Sequence, residues 1–96
     1  MVQNNDKVIP VVKQIEKIYD RIDSVKDLSY KVNIQHKYDY YECLRMLTEK
    51  RMQLEGKLQE LKYSSVDTYD EIISAVEIKV SELNIVIHQI NERFYQ

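Results

Sequence analysis

Ninety-six residues with 31% charged and 44% hydrophobic side chains suit one small globular domain around a single core, which excludes a disordered chain and leaves no room for a second domain. A formal net charge of −2 argues against a nucleic-acid binder, and the lone Cys43 excludes an internal disulfide and with it a stapled secreted scaffold. One glycine (Gly56), one proline (Pro10) and one alanine (Ala75) leave little turn or strand punctuation, so long helices with short connections are expected.

Helix one is expected over residues 6–32. Asn4, Asn5 and Asp6 are candidate N-caps, and Pro10 suits a first turn, where its missing N–H costs nothing. Val8, Val11, Ile15, Ile18, Ile22, Val25, Ser29 and Val32 then recur at spacings of three and four, the mark of one apolar stripe along a helix. That register fails at His36, Asp39 and Cys43, which places a break between Asn33 and Asp39.

A second register begins at Tyr40 and continues through Leu44, Leu47, Arg51, Leu54, Leu58 and Leu61, giving a helix over 39–62. Asp39 followed by Glu42 fits a capping box at its start. A rival path keeps one continuous rod, threading Val32, His36, Tyr40 and Leu44 as a stutter, and would require dimerisation to cover its seam. Ser64 and Ser65 mark the next turn, Thr68 and Glu71 read as a capping box, and Asp67, Asp70 and Glu71 suit the helix dipole.

The third helix, 66–95, carries the clearest heptad pattern: Tyr69, Ile73, Val76, Val80, Leu83, Ile87, Ile90 and Phe94. The expected fold is therefore all-α, an antiparallel up-down-up three-helix bundle with coiled-coil-like packing; the alternative is a long helical hairpin that dimerises. Charge agrees with internal pairing. Residues 1–33 and 34–63 each carry six basic and five acidic groups, and residues 64–96 carry two and six.

Few residues invite chemistry. His36, Asp39 and Cys43 lie three and four apart and could offer a metal three ligands, but a structural zinc site needs a fourth and His88 lies in another helix. Cys43 with a neighbouring histidine has no glycine-rich oxyanion loop or strand-to-helix elbow beside it, so no nucleophile is read there. No cofactor is expected. Glu16, Asp20, Asp23 and Asp27 alternate with Lys13, Lys17, Arg21 and Lys26 as a solvated charged face, while Arg45, Lys50, Arg51 and Lys57 are offset by nearby glutamates.

The departures from a plain bundle are apolar. Ile78 and Ile85 occupy the outermost position of successive heptads in the third helix, where a monomeric bundle wants charge, and Ser74, Ala75 and Ser81 flank them with small side chains. Tyr38 and Tyr41, in a cluster with Tyr40, pair large rings with hydroxyls of the kind that interfaces favour. Ile78, Ile85, Ser74, Ser81, Tyr38 and Tyr41 are the expected interface residues.

A non-enzymatic protein-protein interaction module follows: a small oligomeric adaptor, scaffold or inhibitor whose partner is itself or another protein. The alternative is an oligomer that captures a metal or small molecule at its subunit junctions. No apolar run is long enough for a membrane span and no signal peptide is visible, so a cytoplasmic protein is expected. Abundant Ile, Lys, Asn and Tyr, whose codons are AT-rich, fit a low-GC microbe, or a virus or phage whose protein acts in the host cytoplasm.

Overall fold

Three α-helices account for most of the chain: α1 (Val2–Asp27), α2 (Lys37–Lys62) and α3 (Val66–Phe94). The structure, a computed structural model, describes residues 2–95, with side chains described for residues 9–65 and 67–95. No strand occurs among the described residues. The long axis is 52 Å and the two short axes are 18 and 16 Å. The radius of gyration, 15.6 Å, exceeds the roughly 12 Å of an average domain of this length, as helices laid side by side require.

The heptad positions form one core. Ile15, Ile18, Ile22, Val11 and Val25 of α1, Tyr40, Leu47 and Leu54 of α2, and Ile73, Val76, Val80, Leu83, Ile87 and Ile90 of α3 are all buried. Leu44 and Leu58 are half-buried against them, and so are Tyr69 and Phe94. Val86 joins the buried set because its position beside the seam faces inward between two seam residues. Each such apolar side chain contributes on the order of 1.5–3 kcal/mol relative to exposure, so the core rests on the stripes rather than on any one helix.

Contacts between helices run in a fixed order. Along α2 and α3, Asp39 meets Arg93 at 3.1 Å, Lys50 meets Glu82 at 3.3 Å and Gln53 meets Lys79 at 3.1 Å, so one set of numbers rises as the other falls. Against α1 both sets rise together: Val11 lies beside Ile73, Ile18 beside Val80, and Arg21 donates to Asn84. Helix α3 packs closely on both of the others. Between α1 and α2 the links include long side chains, with the Arg51 guanidinium 4.2 Å from the centre of the Tyr19 ring.

Four expectations are corrected. Helix α1 ends at Asp27, not at residue 32, and runs from Val2, so Pro10 lies inside it rather than in its first turn. Asn4, Asn5 and Asp6, expected as N-caps, fall inside the helix that begins at Val2, and their side chains, with that of Val8, lie outside the described ones. Residues 28–36 then turn through two short 3-10 segments, Ser29–Lys31 and Ile34–His36, so neither the rod nor the dimerising hairpin is what the chain adopts. Val32 stays buried but with extended backbone, φ −77° and ψ 129°, because the chain must reverse there while still filling the core.

The remaining two corrections concern capping boxes. Helix α2 begins at Lys37, which leaves Asp39 in the first turn and free to pair with Arg93 instead of capping. Helix α3 has Ser65 at its N-cap without a side-chain cap bond, and Thr68 donates back to the Ser65 carbonyl at 3.3 Å. Asn33 is the cap that the sequence reading missed. Its side-chain oxygen accepts from the Gln35 N–H at 3.0 Å, and the Lys37 ammonium donates to the Ser29 carbonyl at 2.6 Å, which ties the connector together.

Candidate interaction face

Helix α3 is buried along one stripe and exposed along the opposite one. A heptad seam whose inner positions point at two other helices leaves its remaining positions outward, since 3.6 residues per turn spreads side chains around the axis. Ile78 and Ile85 are 58% and 57% exposed there. Ser74 and Ser81, also exposed, stand beside them toward α1.

Ser74 and Ser81 open onto a groove between α1 and α3. It widens into two pockets of about 310 and 330 Å³, which share Gln14 as a wall. Ile73 and Val11 line the first next to Ser74, and Val80 and Ile18 line the second next to Ser81. Polar side chains complete the walls, Asp70 and Glu77 in the first and Lys17, Arg21 and Asn84 in the second. Along α3 the two hollows lie one heptad apart.

Tyr38 and Tyr41, the other expected interface residues, are 77% and 55% exposed on α2, so the structure puts them on a different helix from Ile78 and Ile85. Two further exposed large side chains were not anticipated. Ile34 is 84% exposed and Tyr30 is 73% exposed, both in the connector. Ile34 falls within the break expected between Asn33 and Asp39, which was the signal available in the sequence.

Tyr40 is different from its neighbours because it turns inward. Its hydroxyl donates to the Val25 carbonyl at 2.7 Å, and the Tyr95 hydroxyl lies 2.7 Å from it and 2.8 Å from the same carbonyl. Burial holds both phenols neutral, raising each above the usual tyrosine range; the bond that Tyr95 gives Tyr40 raises Tyr95 further. The Phe94 ring packs edge-on to Tyr40 at 5.4 Å. This end of the bundle is therefore locked, and its chemistry is closed on a backbone carbonyl.

Other polar groups have structural occupations. Arg51, the charged residue in the α2 seam, covers Tyr19, pairs with Glu55 at 3.3 Å and reaches Asp23 at 3.9 Å. Among the described residues the Tyr19 hydroxyl beneath it is buried with no hydrogen bond of ordinary geometry, and burial raises its pKa against the lowering pull of Arg51. Glu82 accepts from Lys50, which holds its carboxyl below the usual range, and Lys79 adds to the effect. Cys43 is half-buried against the core while Asp39 is engaged by Arg93, so His36, Asp39 and Cys43 do not converge. Among the described residues no group of three His, Cys, Asp or Glu is placed to hold a metal ion, and no helix is long and apolar enough to cross a membrane.

No family model, curated protein or solved structure matches this chain.

Proposed function

We propose that the protein is a non-enzymatic interaction module, a small oligomeric adaptor, scaffold or inhibitor that works through the outer face of α3. One observation carries this: Ile78 and Ile85 stand more than half exposed, a heptad apart, on the face of α3 opposite its buried seam. An isolated exposed isoleucine is ordinary on a protein surface, whereas two on one helix face a heptad apart have the spacing of helix-to-helix packing. Helix α3 then serves as keystone of the monomer on one side and as contact surface on the other. The AT-rich coding bias makes a virus- or phage-encoded protein acting on host machinery a natural setting.

The test replaces both isoleucines, Ile78→Lys with Ile85→Lys, and compares the variant with the wild type by light scattering and by affinity capture. Both positions are exposed, so circular dichroism is expected to show an unaltered helix content. The expected result is a lower mass or the loss of a captured protein. Unchanged mass together with unchanged capture would overturn the assignment.

A further inference from the structure

We propose that the hollow between α1 and α3 that Lys17, Arg21 and Asn84 wall is a binding site for a small phosphate monoester, held as its dianion. Above the apolar floor every lining residue can donate a hydrogen bond: Gln14, Lys17 and Arg21 from α1, Ser81 and Asn84 from α3. None of them is a carboxylate. Two positive charges and three neutral donors around one space favour an anion and disfavour a metal ion or an apolar ligand.

Arg21 is the residue that sets this hollow apart. The other three arginines of the chain rest on carboxylates: Arg45 on Glu42 and Glu49, Arg51 on Glu55, and Arg93 on Asp39. Arg21 donates instead to the side-chain carbonyl of Asn84 across the groove. A neutral amide holds the guanidinium in place without cancelling its charge. Lys17 lies one turn earlier on the same face of α1, and among the described residues neither cation forms an ion pair. The carboxylates of α1 leave them so, since Asp23 reaches Arg51 and neither Glu16 nor Asp20 lines the hollow.

Charge and donor geometry select phosphate over carboxylate. Lys17 and Arg21 together balance two negative charges, which a phosphate monoester carries above its second pKa of about 6 and a monocarboxylate never does. Three terminal oxygens accept from more donors than two, and a guanidinium fork fits a pair of them. A volume of about 330 Å³ stands at the small end of ligand sites and leaves room for an organic group beside the phosphate. Across Gln14 the adjoining hollow is walled by Asp70 and Glu77, which repel a second anionic group. The organic part is therefore uncharged or cationic.

The site is separate from the outer face of α3, because neither Ile78 nor Ile85 lines it. Lys17 and Arg21 are exposed, so binding is of modest strength and weakens as salt rises.

Phenyl phosphate is the probe, titrated above pH 7 at constant ionic strength into nitrogen-15-labelled protein and followed by nuclear magnetic resonance. The side-chain amide of Asn84 and the Nε of Arg21 are expected to shift and to saturate together. Arg21→Gln and Lys17→Gln are each expected to weaken binding about tenfold, the loss of one charge-assisted contact. Lys26→Gln, on the same helix but outside the hollow, is expected to leave the midpoint unchanged. All three positions are exposed, so helix content by circular dichroism is expected to hold in every variant. Absence of a saturable shift at millimolar phenyl phosphate, or equal weakening by Lys26→Gln, would overturn the site. The same midpoint for benzoate would overturn the choice of a dianion.

Discussion

Tyr40 carries the most polar work of any buried residue, since its hydroxyl joins α2 to the end of α1 while taking a bond from Tyr95. Removing that oxygen as Tyr40→Phe leaves Val25 with Tyr95 alone, and a loss of about 1–2 kcal/mol in urea unfolding is expected. Both phenols titrate above the ordinary value of 10.0, so the folded chain holds these protons more tightly than the unfolded one. Stability from this source is complete below pH 10 and drains as pH rises through the higher folded values. Unfolding followed between pH 9 and 12 is expected to show that decline, and a shallower one in Tyr40→Phe. Gly56 tests the opposite direction. It lies inside α2 with nothing within 4 Å of where a Cβ would sit, so Gly56→Ala is expected to stabilise by about 0.5–1 kcal/mol and to raise the thermal midpoint by a few degrees. The position of Tyr40 in the α2 seam was legible from spacing, but its bond to Val25 was not, because periodicity reports which face a residue occupies and not which carbonyl it meets.

At the scale of elements, the helices whose apolar residues repeat without interruption were the ones the sequence made plain. Helix α3 holds its register from Ile73 to Ile90, so both its span and its buried face follow from the 3.6-residue period. Helix α1 was read five residues too long because Val32 keeps the spacing and remains buried although its backbone has left the helix. A heptad count cannot distinguish a core residue supplied by a helix from one supplied by the turn that follows. The capping boxes at Asp39 and Thr68 failed because each helix begins two residues upstream, at Lys37 and at Val66, which leaves both residues inside the first turn. Asn33 is the cap that does form, and Asn33→Ala is expected to cost about 0.5–2 kcal/mol by equilibrium unfolding. A loss in that range with unchanged helix content would separate this cap from the helices it connects.

The molecule as a whole is a bundle about 50 Å long in which α3 touches both other helices and still presents a patterned outer face. The outer isoleucines were legible because helical geometry leaves them no route inward, whereas the hollows beside Ser74 and Ser81 depend on how far α1 stands off and could be seen only in three dimensions. The central claim is the proposal that this outer face is the contact surface of an oligomeric interaction module. Isoleucine methyl signals recorded by nuclear magnetic resonance across a hundredfold dilution test it most directly, since the core and the outer face both contain isoleucine. The methyls of Ile78 and Ile85 are expected to shift with concentration while those of the buried Ile18, Ile22 and Ile87 stay fixed. Stationary Ile78 and Ile85 signals over the whole range would contradict it.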